Sequence, residues 1–157
     1  MWETVFLSTL FTFVILKNIY IARKYIFIVQ LQTTTWVTIA LGCFVFLIMA
    51  YTLKPDFGGY TVAILASIML ITSNTSVGIS REGIHILYGK GSLVKRVKWD
   101  KVDHAELINK QSRTRLKVTL KSNSSFFPKP KIQHFYPIQD YDAIYDLFEE
   151  KKIRFDI

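Results

Sequence analysis

The sequence predicts a membrane α-helical region of three transmembrane helices, followed by a small α+β roll with a C-terminal helix. Three observations carry this. The apolar residues, half of a 157-residue chain, gather in the first 75 positions. The charges gather in the remainder: 16 of the 20 Lys and Arg and 10 of the 12 Asp and Glu lie at or beyond Arg81, which leaves about +6 of the formal +8 there. From Val77 onward, long apolar runs give way to period-two alternation, the pattern of half-buried strands. Residues 1–76 are therefore read as the transmembrane region and 77–157 as a cytoplasmic domain.

A hydrocarbon layer of roughly 30 Å and a helical rise of about 1.5 Å per residue require about 20 residues per crossing. The candidate spans are about 2–21, 33–53 and 58–75. The second has no charge between Thr33 and Leu53, and Trp36 and Tyr51 stand near its ends, where amphipathic rings prefer the interface. The third is strongly apolar only over Gly58–Thr72 and reaches span length through the neutral Ser73–Ser76. The first contains Lys17 and Asn18; near a helix end, the lysine stem can carry its ammonium to the headgroups. A secretory signal peptide begins with a positive segment, whereas this chain begins Met1-Trp2-Glu3 and meets Lys17, Arg23 and Lys24 later. Tyr25–Gln32 is too short to span and is expected as an interfacial continuation or a tight connection.

Orientation follows from the cations. Lys17, Arg23 and Lys24 fall between the first and second spans, while "KPDFGG" sets Lys54 against Asp56 and is neutral. Cytoplasmic connections are enriched in Lys and Arg. The N-terminus is thus expected outside the cell membrane, and the third crossing returns the basic C-terminal region to the cytoplasm.

Within the spans, Gly59, Ala63 and Ser67 recur every fourth residue, as do Thr34, Thr38 and Gly42. Small residues at that spacing let helix backbones approach, within the chain or with a partner, although apolar sequence rich in small residues also produces the spacing by chance. No Asp, Glu or His lies at depth in the spans to relay protons or bind an ion, and Cys43 is read as a small buried hydrophobe.

In the C-terminal region, Ile84, Ile86 and Tyr88 alternate with His85 and Leu87. After "GKGS", Val97 and Trp99 alternate with Arg96 and Lys98, so a β-hairpin is expected. A third strand fits Val102–Ile108. In "RLKVTLK", Leu116, Val118 and Leu120 occupy one side and Arg115, Lys117, Thr119 and Lys121 the other, so the second face is cationic. "IQHFY" at 132–136 reads as a later strand ending at Pro137. Tyr141, Ile144, Tyr145 and Phe148 then recur at helical spacing; Asp140 and Asp142 suit the start of that helix, and Lys151 and Lys152 its end.

The succession "GISREGIHIL", a turn, "VKWDKVDHAEL", "RLKVTLK", a final strand and "YDAIYDLFEEKK" resembles the bacterial pleckstrin-homology-like domains that follow membrane spans in small envelope proteins. Glu82-Gly83-Ile84 and Trp99-Asp100-Lys101-Val102 carry most of the likeness, which covers about residues 77 to 153. It implies a pleckstrin-homology-like roll that binds proteins or lipids, with no common ligand to transfer residue by residue. The chain departs from the compact pattern at "SNSSFFPKPK", residues 122 to 131.

Two surfaces are candidates for binding. Lys95, Arg96, Lys98 and Lys101, with Arg113, Arg115, Lys117, Lys129 and Lys131, suit anionic headgroups, or equally a solvated face obeying the positive-inside bias. Phe126 and Phe127 beside Pro128 and Pro130 suit an exposed loop tip, or an ordinary strand with one ring in the core. Nucleic-acid binding is a poorer third reading, because base-stacking aromatics do not alternate with the cations and a membrane tether restricts access; no nucleic-acid partner is expected. His85, His104 and His134 stand on separate strands without Cys and make no ligand set, and neither a nucleophile elbow nor a phosphate loop occurs. Neither metal nor cofactor is expected. The expectation is a non-enzymatic accessory or regulatory subunit of a larger bacterial membrane complex, its partner an integral membrane protein or a second copy. A membrane-embedded immunity protein and an anionic-lipid-sensing adaptor are the alternatives.

Overall fold

In a computed structural model, residues 2–87, 94–110, 113–121 and 131–156 are described. The chain forms two compact units. One is built from Met1–Lys24 and Leu31–Val77, the other from Tyr25–Gln30, Gly78–Ile86 and Lys95–Ile157.

The first unit contains three helices, α1 Trp2–Ala22, α2 Thr33–Leu53 and α3 Phe57–Thr75, each long and apolar enough to cross a membrane. This is a membrane protein with a small β-rich region. The polar end of α3 stays helical because its side chains bond back along the helix. Ser73 Oγ donates to the Met69 carbonyl at 2.7 Å, Asn74 Nδ2 to Leu70 at 2.9 Å and Thr75 Oγ1 to Ile71 at 3.0 Å. Groups that lack water are thereby satisfied within their own segment. At its start, the Asp56 carboxylate accepts from the Gly59 amide at 2.7 Å, capping the helix.

Packed between α1 and α2, α3 contacts both. Asn18, 1% exposed, joins α1 to α3: its Nδ2 donates to Ser73 Oγ at 3.0 Å, and Ser76 Oγ donates to its carbonyl at 3.1 Å. An interhelical bond of this kind in a membrane contributes about 0.6 to 2 kcal/mol. It also sets direction. The C-terminal ends of α1 and α3 lie together, so these helices run parallel, and the first connection leaves the bundle at the same end as the chain after α3.

The second unit contains two four-stranded sheets. Their orders are β1-β2-β3-β4, with β1 Tyr25–Ile28, β2 Gly78–Ser80, β3 Gly83–Leu87 and β4 Val94–Lys98, and β7-β6-β5-β8, with β5 Val102–Lys110, β6 Arg113–Leu120, β7 Lys131–Pro137 and β8 Arg154–Asp156. Helix α4, Tyr141–Glu150, follows β7 after a short 3-10 turn. The core joins Ile79 and Ile84 of one sheet to Ala105, Leu116, Val118 and Tyr136 of the other, with Ile144 and Phe148 of α4 pressed on them. Trp99 meets the Phe148 ring edge-on at 5.1 Å and donates from Nε1 to the Arg81 carbonyl at 2.9 Å. Trp99 itself opens a 3-10 turn, Trp99–Lys101, rather than ending a strand.

Several expectations change. Tyr25–Ile28 is not an interfacial linker but a strand, paired antiparallel to β2 through Phe27↔Ile79 and Ile28↔Gly78. Both of its faces are apolar, so its period was hidden. On β6, Leu116 and Val118 are buried as expected, but so is Thr119, because a register shift between Val102 and His104 of β5 breaks the alternation there. Strands β2 and β8 are three residues each, too short for any pattern. The chain reaches β8 through a left-handed Lys152, φ 55°, whose amide bonds the Glu149 carbonyl while that of Ile153 bonds Phe148. This paired closure of a helix end turns the backbone, and β8 then runs parallel to β5. The turn expected at "GKGS" lies outside the described residues.

Candidate interaction surfaces

The predicted cations divide between the two sheets. Lys95, Arg96 and Lys98 are exposed on β4, an edge strand, and Lys101 is exposed in the turn after it, whereas Arg113, Arg115 and Lys117 are half-buried on β6 of the other sheet. Several have acidic or polar neighbours. Arg96 pairs with Glu82, Lys117 Nζ meets Glu106 Oε2 at 2.6 Å across the strand pair, and Arg115 Nη2 donates to Gln133 Oε1 at 2.9 Å. Pairs at or near the surface like these add little to stability, about 0 to 1 kcal/mol each, but Glu82 and Glu106 offset part of the positive charge an anionic surface would meet. Lys131 opens β7 opposite Thr119. Phe126, Phe127 and Lys129 lie outside the described residues.

The small residues of the spans serve different purposes. A Cβ on Gly42 would stand 2.6 Å from Leu70 Cδ2, so this glycine sets the close approach of α2 and α3. Thr38 bonds back to the Thr34 carbonyl at 2.9 Å. A Cβ on Gly59 would stand 2.1 Å from the Lys54 carbonyl oxygen, so that glycine serves the tight α2–α3 connection. Ala63 is buried, and Ser67 Oγ donates to its carbonyl at 2.9 Å.

A groove that the sequence did not signal lies beside β1. Its volume is about 460 Å³, and Ile26 and Phe27 of β1 line it with Ala143 and Leu147 of α4. Arg81, Asp146, Glu150 and Lys151 complete the lining with charge. The Glu150 carboxylate accepts from Lys151 Nζ at 2.7 Å, and that bond, with the lysine's charge, holds its carboxyl below the usual range. On the edge strand, Ile26 is 45% exposed and Ile28 60%. An apolar edge strand is a template for pairing, which folded proteins seldom leave bare without a use. In the sequence, the apolar run "YIFI" stands out only as part of a segment too short to span.

Inside the unit, four titratable rings gather. Tyr25 lies 5.0 Å from the His85 ring, and His134 Nδ1 is hydrogen-bonded to the Tyr136 hydroxyl at 3.1 Å. Burial pushes the His134 imidazole down to about 4, and burial pushes both phenols above their ordinary range, Tyr25 adding to the effect on Tyr136. Both phenols and the His134 imidazole are neutral near pH 7; Tyr136 and His134 are buried, and Tyr25 is half-buried. Among the described residues, no group of three or more His, Cys, Asp or Glu is placed to hold a metal ion. The sequence matches no family model, no curated protein and no solved structure.

Proposed function

We propose that this chain is a non-enzymatic accessory or regulatory subunit of a larger bacterial membrane complex, held by its three helices and engaging its partner through the β-rich unit. The groove beside β1 carries this reading. An apolar floor with a charged rim is the anatomy of a protein-binding patch. The edge strand adds a row of backbone groups on which an extended segment can align. Two small sheets, mainly antiparallel, with one helix packed on their shared core support a pleckstrin-homology-like identity for the unit, a class expected to bind proteins or lipids.

The proposed orientation places the N-terminus outside and the β-rich unit in the cytoplasm. It draws support from Lys17, Arg23 and Lys24 leaving the helices at the same end as the basic C-terminal region. Reporter fusions after Asp56 are expected to read external and fusions after Ile157 cytoplasmic; the inverse pattern would remove the assignment.

The partner itself is tested by isolating the tagged full chain from its native membrane in mild detergent, with mass spectrometry of what remains bound. A stoichiometric membrane protein is expected, lost on Ile26→Glu with Ile28→Glu. Ile26 is 45% exposed and Ile28 60%, so folding stability is expected to fall by no more than about 1 kcal/mol for the pair. A chain that comes out alone, or a partner indifferent to both changes, counts against the proposal. A partner that appears only in the presence of a toxin would favour the immunity reading instead.

A further inference from the structure

Between the three helices lies a cleft of about 340 Å³. Its walls are Leu7 and Phe11 of α1 and Phe46 and Met49 of α2, and its floor is the small-residue face of α3 at Gly59, Ala63 and Ala66. Its polar lining is Glu3, Thr4 and Lys54, all at the end where α2 joins α3. There Lys54 Nζ donates to Thr4 Oγ1 at 2.8 Å and stands 3.8 Å from Asp56 Oδ2.

We infer that this cleft is a binding site for a membrane phospholipid, with one acyl chain on the α3 floor and the phosphate at Lys54. Three observations select that occupant. The cleft is amphipathic along its length, with the Glu3 carboxylate and the Lys54 ammonium at the level of the helix ends and apolar side chains in depth, which is the polarity of a lipid with a zwitterionic headgroup in the same leaflet. Its volume and its mainly apolar lining with a few polar groups at one end are those of small-molecule sites.

The third observation decides against a fourth helix. From Gly59 to Ala66 the floor runs roughly 10 Å of a helix roughly 28 Å long. Towards the other end, α1 closes on α3 through buried Ile15 and the Asn18–Ser73 bond. A spanning partner helix, about 10 Å across, needs a groove along most of its length. A single chain of methylenes entering from one leaflet does not. Ala63 and Ala66 on this part of α3 therefore make room for lipid, whereas Gly59 is small because the Lys54 backbone crosses it.

The test uses the full chain, reconstituted in vesicles of phosphatidylethanolamine and phosphatidylglycerol, then extracted into mild detergent and weighed by native mass spectrometry. One retained phospholipid per chain is expected. Ala63→Leu fills the floor and Leu7→Trp narrows a wall; each is expected to lower the retained fraction by about tenfold. Val45→Trp, on an exposed part of α2, serves as the control and is expected to leave it unchanged. Helix content by circular dichroism identifies any variant that fails to fold, and Leu7 is only half-buried, so its replacement keeps the test open if Ala63→Leu is lost. A parent chain with no retained lipid, a retained lipid indifferent to both cleft changes, or a second protein chain in place of the lipid would each overturn the inference.

Discussion

Gly83→Ala is expected to unfold the β-rich unit while leaving the three spanning helices intact. Gly83 follows the two-residue turn between β2 and β3, and Ser80 Oγ donates to its carbonyl at 3.1 Å. Its φ is +149°, a region L side chains rarely adopt, and a Cβ there would stand 2.1 Å from the Val97 carbonyl oxygen and 3.0 Å from its carbon. Backbone strain of this type costs about 1 to 3 kcal/mol. The clash adds to it, because the contacted atoms belong to the main chain of β4 and cannot move without opening the sheet. A combined loss on the order of 3 to 5 kcal/mol approaches the whole stability of a small domain. Hydrogen exchange on the full chain in detergent would show it as lost protection in β5, β6 and β7 with the helices unchanged. Protection within a factor of a few of the parent's would refute the account.

Acid is expected to weaken the same unit between about pH 6.5 and 4, and His134→Gln to remove most of that dependence. His134 is buried, hydrogen-bonded to Tyr136, and lowered to about 4 from the ordinary 6.5. In that window the unfolded chain binds a proton that the folded chain refuses, so stability rises with pH. It is complete above about pH 6.5 and is lost as pH falls towards 4, by on the order of 3 kcal/mol. The tyrosines act at the other extreme. Their phenols keep their protons in the fold beyond the ordinary value of 10, so stability falls as pH rises above it. Urea unfolding at pH 7.5 and 4.5, in the parent and in His134→Gln, separates this term from the carboxylates, which both chains share. Equal losses in the two chains would mean that His134 is not its source.

What was legible in the sequence was whatever a single segment could express over five or more residues. The second span could be read from a run of 21 residues without charge, and β6 and α4 from their alternating and helical periods. Glu82-Gly83-Ile84 stood out as a motif, but not the contact of Gly83 with Val97 that makes its missing side chain indispensable. The cations were counted correctly and read as a cluster, yet their division between two sheets and their pairing with Glu82 and Glu106 depend on strand order and register, which no local pattern records.

By itself, then, the sequence determined where this protein meets lipid and where it meets water, because hydropathy and period belong to each segment alone. Only the tertiary structure decided that Tyr25–Ile28, coming directly after the first span, becomes an edge strand against Gly78–Ser80, some fifty residues further along the chain. The same holds for Asn18 and Ser73, which join two spans, and for the facing of α1, α2 and α3 that leaves a cleft at one end. Each of these is a pairing of groups distant in sequence. Its free energy comes from complementary surfaces that exist only once both partners have formed.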